Sequence, residues 1–434
     1  MKLARLVMAW MVSCLFLQEA GNFYWLYHVF LNKGADPSQV IFALGWFPLL
    51  PAFLTLFLAG TDLDPLPSVW SGAFFFFTLV LSIGFCLGLV NSSDPQHFIG
   101  DVGKFVVPWA ALYLTLRAGT TLVREGGMKA LEPFLWALLG LSLFAAAETS
   151  YFGLTTGQHI FVHLYFLALA WAMVQDRFPF WISLPVAAFC AKAAVYSNKR
   201  YCIVLMLFTL ASSLLYLALA GRVKRLAGMG LAFVLGGALA TSVLWTSADS
   251  LLSGNSNTLS RFSNILEIVQ GQAADSSYQA RKNEGANVLD HLQKHPEFWA
   301  TGLGFGAEIP TIYPTGNMLD SGTIHHVHMA VYAFLLRNGL LGVLLLFLFI
   351  YKTLEVGGRL LKPGTGWAVA CLIFCAGKAV GVLTNDFILG TTDVSIIAGL
   401  GFAAAQAAQI PSPEEDELVA RPERGTLGQV SLHS

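Results

Sequence analysis

The chain has 434 residues, 56% hydrophobic and only 12% charged, with a formal net charge of -1. Soluble domains carry roughly 25% charged residues, so this shortage excludes an ordinary water-soluble particle and makes lipid the suitable solvent. The near-neutral charge also argues against a nucleic-acid partner, which needs a basic face.

A membrane helix takes about 20 mostly apolar residues. In chain order, that rule predicts helices near 5–31, 39–60, 68–90, 98–117, 129–148, 158–175, 179–196, 200–220, 226–246, 329–353, 366–384 and 394–410. The first begins like a signal peptide: Lys2 and Arg5 precede the apolar run from Leu6 to Leu17, and Met11-Val-Ser-Cys14 is close to a lipoprotein cleavage box. Apolar character resumes from Phe23 to Leu31 and no secreted soluble domain follows, so a retained membrane helix is expected. Gln18, Glu19 and Asn22 make its middle polar and favour a break there. The six cysteines, Cys14, Cys86, Cys190, Cys202, Cys371 and Cys375, all lie in apolar stretches without metal-ligand spacing and read as packing residues.

Basic residues set the orientation. With the N-terminus in the cytoplasm, one side carries most of the lysines and arginines, while the short loops opposite carry only Lys33, Lys199 and Arg200. The expected fold class is therefore all-α: a polytopic membrane protein of about twelve helices with both termini cytoplasmic. Residues 1–246 hold the first nine helices, 247–328 form one large external loop, and 329–410 hold the last three. The acidic segment 411–434 is a disordered tail. Within the loop, Ser260–Gln272 and Tyr278–Gln293 read as helices.

Charged side chains inside membrane helices are costly and need a reason. They are Lys104, Lys192, Lys378 and Glu148, with Lys199, Arg200, Asp386 and Asp393 at the outer helix ends. Snorkelling to headgroups is one explanation. The sharper one is a cationic cavity open to the external side, suited to a diphosphate.

The loop adds further candidates. Arg281-Lys-Asn-Glu284 falls on a predicted helix, and His295-Pro296 leads into Gly302-Leu-Gly304-Phe-Gly306. These glycines do not sit in a dinucleotide-binding context and read as a tight turn with close backbone approach. Next come His325, His326 and His328, with Tyr332 one turn on. If helical, His325 and His328 share a face. No acidic residue stands at ligand spacing, which disfavours a metal centre; a single histidine can instead act as a general base. Arg337-Asn-Gly339 interrupts the following apolar run, which predicts a short external or re-entrant helix bearing the histidines and a spanning helix from about Gly339.

Arg281, Pro296 with Gly302-x-Gly304-x-Gly306, and His328 eleven residues before Gly339-Leu-Leu-Gly342 together resemble the O-antigen ligase/polymerase family. Ser197-Asn-Lys-Arg200 resembles that family's mid-chain Ser-Arg element, although Asn198 and Lys199 separate the pair here. Met329 stands where members usually have Asn, and the glycine spacing selects His328 among the three histidines. The resemblance covers roughly residues 190–355. It implies a glycosyltransferase of the bacterial inner membrane, acting on its periplasmic side. The donor would be an undecaprenyl-diphosphate-linked glycan and the acceptor a glycan or lipid A-core hydroxyl. Arg200 and Arg281 would hold the diphosphate with help from Lys192 and Lys199, and His328 would be the base or would orient the acceptor. His325, His326, Tyr332, Gly304 and Gly306 would support it. The reaction would invert the anomeric centre with no metal or cofactor. A transporter or flippase of lipid-linked saccharides is the rival; it would favour related halves and a midplane site, and no internal repeat is visible. A non-enzymatic scaffold is the third alternative.

Overall fold

The computed structural model describes residues 2–30, 63–152, 164–175, 179–196, 200–231, 276–315, 322–325, 327–358, 366–381 and 392–407. The predicted segments 39–60 and Ser260–Gln272, most of 226–246, and the tail from 411 lie outside them. So do Lys199, His326 and Asp386.

The described residues form α1 (Lys2–Phe30), α2 (Ser68–Asn91), α3 (Pro95–Phe152), α4 (Tyr165–Val174), α5 (Phe180–Tyr196), α6 (Arg200–Leu219), α7 (Ser276–Lys294), α8 (Ala330–Gly358), α9 (Gly366–Gly381) and α10 (Thr392–Ala407). A 3-10 turn spans Pro296–Phe298, and β1 (Ile309–Pro310) pairs antiparallel with β2 (Thr323–Ile324). The described chain is all-α apart from that two-residue ladder. Among the described residues, four stretches are long and apolar enough to cross a membrane: Ser68–Asn91, Pro95–Ser150, Cys202–Leu219 and Ala330–Lys352. Several shorter apolar helices accompany them, as in a polytopic membrane protein.

α2 shows how sequence sets orientation. Trp70, Ala73, Phe74, Phe77, Val80, Leu81, Gly84 and Gly88 recur every three or four residues and form its buried stripe. Phe75 and Val90 on other faces are 73% and 82% exposed, as lipid-facing side chains are. α4 has no such stripe. All ten of its residues are buried, and it packs against α3, α5, α6 and α9 at the centre of the bundle. α10 lies along α3. An added Cβ at Gly119 would stand 2.7 Å from the Ala403 Cβ, and one at Gly399 would stand 2.8 Å from Thr115. Small residues thus let the two backbones approach.

Three helices differ from their predicted form. α1 runs unbroken from Lys2 to Phe30, with no break at the polar run of Gln18, Glu19 and Asn22. The separate helices 98–117 and 129–148 are the two arms of α3, which bends at Gly127 (φ 60°) with no intervening loop. α8 breaks at Gly339 (φ 61°), so a short helix, 330–338, precedes a longer one, 340–358. Arg337-Asn-Gly339 predicts that break. The histidines are not on the short helix, however. His325 and His328 precede its first residue, Ala330, so the helical face assigned to them does not exist.

The short helix, α7, β1 and β2 share a second, smaller apolar core of Val288, Leu292, Leu303, Ile309, Ile324, Val327 and Leu336, among others. They form a cap on the bundle.

Candidate functional site

The glycine loop closes the break in α8. A broken helix leaves carbonyls and amides without partners, and each is expensive inside an apolar protein. Here the Leu303 and Gly304 amides donate to the Leu336 and Arg337 carbonyls at 2.8 and 3.1 Å. The Leu340 and Leu341 amides donate to the Trp299 and Ala300 carbonyls at 2.8 and 3.2 Å. The loop also seats against α2 and α3. The Phe305 amide donates to the Gly84 carbonyl at 2.9 Å, and its ring stacks on Phe105 at 5.2 Å. Gly304 (φ 95°) lies so close to Leu87 and Gly88 that a Cβ would collide with their backbone. Gly306 (φ 74°) lies as close to Phe98. Both glycines are buried turn residues, as the sequence predicts, and their role is to hold the cap down.

Under this loop sits a buried charge cluster. Arg337 (4% exposed) forms an ion pair with Asp101 (2% exposed). It also donates to the Ala307 carbonyl at 2.6 Å and to the carbonyl and Nδ1 of His325 at 2.6 and 2.9 Å. The Gly306 amide donates to Asp101 Oδ2 at 2.7 Å. Lys104, Asp101, His325 and Arg337 line a small cavity with Val327, Ala333 and Leu336. Burial first, then the Arg337, His97 and Lys104 charges, pushes His325 down to about 3. It is therefore a neutral ring whose Nδ1 accepts from Arg337. His325 is a structural acceptor here, with its ring stacked on His97 at 3.9 Å.

His328 stands in a different setting. Glu284, buried on α7, accepts the His328 backbone amide at 2.9 Å and pairs with its Nδ1 at 2.8 Å. The carboxylate is 4% exposed and the imidazole 39% exposed. One buried acid therefore fixes both the backbone and the ring, and the ring reaches solvent. With the proton on Nδ1, Nε2 is the accepting nitrogen. Arg281 lies one turn before Glu284 on the same face of α7. The Tyr332 ring packs against Gly285, where a Cβ would come 2.5 Å from it. Asn287, one turn after Glu284, ties α7 to the residues after β1: its Oδ1 accepts the Ile312 and Tyr313 amides, both at 2.8 Å. α7 thus holds His328 through Glu284 and meets Tyr332 at Gly285, with Arg281 one turn before Glu284.

The remaining candidates stand elsewhere. Lys192 is exposed on α5, and Arg200 opens α6. Those helices pack with α3, α4 and α9, whereas α7 packs with α8, β1 and the 3-10 turn. Lys378 lies 4.0 Å from Asp393 of the next helix, so it has an acidic partner within the bundle. Glu148 is buried on α3.

Two residues important to this geometry have no role predicted from sequence alone. Glu284 belongs to the Arg281–Glu284 run, and its spacing to Arg281 is visible there; its pairing with a residue 44 positions later is not. Asp101, an acid three residues before Lys104 in an apolar helix, is a usable signal. No protein-family model matches the chain, and no curated protein matches it.

Proposed function

We propose that the chain is a glycosyltransferase of the bacterial inner membrane, with about twelve spans and cytoplasmic termini. It moves a glycan from an undecaprenyl-diphosphate carrier to an acceptor hydroxyl on the periplasmic side. The sequence resemblance supplies the substrate class. The observation that carries the chemistry is the solvent-reaching His328 imidazole held by buried Glu284, with Arg281 one turn away.

In this reading the acceptor hydroxyl gives its proton to His328 Nε2 while its oxygen attacks the anomeric carbon. The carbon–oxygen bond to the diphosphate breaks, and its electron pair leaves on the diphosphate. Attack from the opposite face inverts the anomeric centre. Glu284 keeps the imidazole in the accepting tautomer and stabilises the imidazolium that forms. Arg281 takes up the charge on the leaving diphosphate, joined by Arg200, Lys192 and Lys199 if the donor spans the two helix groups. No step requires a metal or a cofactor.

Reconstituted vesicles supplied with undecaprenyl-diphosphate oligosaccharide test this, with products read by mass. Lengthened lipid-linked chains identify a polymerase, and transfer to added lipid A-core a ligase. His328→Ala and Arg281→Ala should each abolish product while remaining folded in the membrane. An unchanged donor with every acceptor defeats the enzyme reading and makes flipping of the same lipid the next assay.

A further inference from the structure

We propose that Asp94, His97 and Glu308 form a site for one first-row divalent cation, zinc or manganese, that clips the glycine loop onto the start of α3. The three ligand atoms, one from each residue, lie within 4.8 Å of one another. His97 Nδ1 is 2.7 Å from Glu308 Oε1 and 3.8 Å from Asp94 Oδ2.

The second oxygen of each carboxylate is already held. Asp94 Oδ1 accepts the Gln96 amide at 2.8 Å, and Glu308 Oε2 accepts the Thr323 hydroxyl at 3.2 Å. The oxygens turned toward His97 are therefore the ones an ion would take, with their partners fixed behind them, as in built metal sites. The His97 ring plane is set by its stack on His325, with 5° between the rings. His325 in turn is anchored by Arg337. Side-chain exposures of 40%, 37% and 22% for Asp94, His97 and Glu308 leave the ion reachable from solution, with room for water at its remaining positions.

One imidazole and two carboxylates suit zinc or manganese better than an oxygen-only cation such as magnesium. Asp94 immediately precedes α3, His97 lies in its first turn, and Glu308 comes from the cap, 211 positions after His97. An ion there would tie the cap to the bundle without touching the His328–Glu284 pair. The site is thus separate from glycosyl transfer.

The test uses the full chain in detergent, purified with a histidine-free tag and stripped with chelator. Zinc or manganese is added, and bound metal is measured by equilibrium dialysis with mass spectrometry. Wild type should take up one ion per chain, and that ion should raise its unfolding temperature. His97→Ala should bind at least about ten-fold more weakly and show no metal-dependent shift. Glu308→Gln, which keeps the side chain's size and one acceptor oxygen while removing its charge, should also lose the shift and serves if His97→Ala does not fold. No stoichiometric uptake by wild type, or equal uptake by the variants, would show that His97 and Glu308 form an ordinary hydrogen-bonded pair. No glycan enters this assay, so it can fail or succeed independently of the transfer reaction.

Discussion

The bundle and the cap differ in how their buried hydroxyls and amides are satisfied, although bundle arginines such as Arg225 also reach distant carbonyls, of Ala172 and Met173. In the bundle, buried hydroxyls bond back within their own helix: Thr115 to the Ala111 carbonyl, Ser142 to Leu138, Thr149 to Ala145 and Thr209 to Leu205. In the cap, the partners are remote in sequence. Asn91 donates to the Leu303 carbonyl, Asn338 to Val80, and Asp101 receives the Gly306 amide. The bundle can therefore form helix by helix in lipid, whereas the cap exists only when distant segments meet. Buried charge pairs occur in both, and in the bundle Lys378 lies beside Asp393. The buried ion pair Asp101–Arg337 bridges α3 to the break in α8.

The comparison predicts that the cap is more fragile to single changes than the bundle. Arg337→Leu should cost the most, about 3–5 kcal/mol, because it strands a buried carboxylate and two carbonyls. Thermal unfolding in detergent measures this, and loss of the cap ahead of the bundle is the expected pattern. Gly304→Ala should follow at about 2–3 kcal/mol, since its positive φ and its contact with Leu87–Gly88 both resist a side chain.

Acid should act on the cap as well. His325 has a folded value of about 3 against an ordinary 6.5, so the folded cap favours its neutral form. Its contribution is complete above about pH 6.5 and is lost as pH falls toward 3, at up to about 1.4 kcal/mol per unit. In chelator-treated protein, hydrogen exchange at residues 302–309 should quicken over that range, and exchange within α4 should not. Asn287→Ala should cost about 1–3 kcal/mol and free residues 312–313 first. The smallest effect, under about 1 kcal/mol, belongs to Lys294→Ala, which removes only an exposed pair with Asp290.

The same division governs what is legible in the sequence. α1, α2, α5, α6, α9 and α10 follow from apolar length and spacing, because a membrane helix satisfies its own backbone. The break at Gly339 is legible because a guanidinium, an amide and a glycine in succession cannot continue a lipid-spanning run without cost. The bend at Gly127 is not, since a polar stretch between two apolar runs reads as a loop whether or not the helix continues through it. The histidine triplet marks the right neighbourhood and the wrong local form: the Glu284 and Arg337 contacts hold His328 and His325 in a non-helical entry to α8, and no periodicity records such contacts. Asp101, Glu308 and Glu284 acquire their roles only through tertiary pairing, so single-sequence patterns can mark them as odd but cannot assign their partners.

The most direct test of the His328–Glu284 pair as the proton-accepting unit is glycan transfer by Glu284→Gln in reconstituted vesicles, beside wild type and His328→Ala. Wild type should transfer, His328→Ala should be inactive, and Glu284→Gln should fold yet fall by about a hundred-fold, the scale of a misdirected general base. Full transfer by Glu284→Gln and His328→Ala would contradict the assignment and leave the pair a structural clasp of the cap.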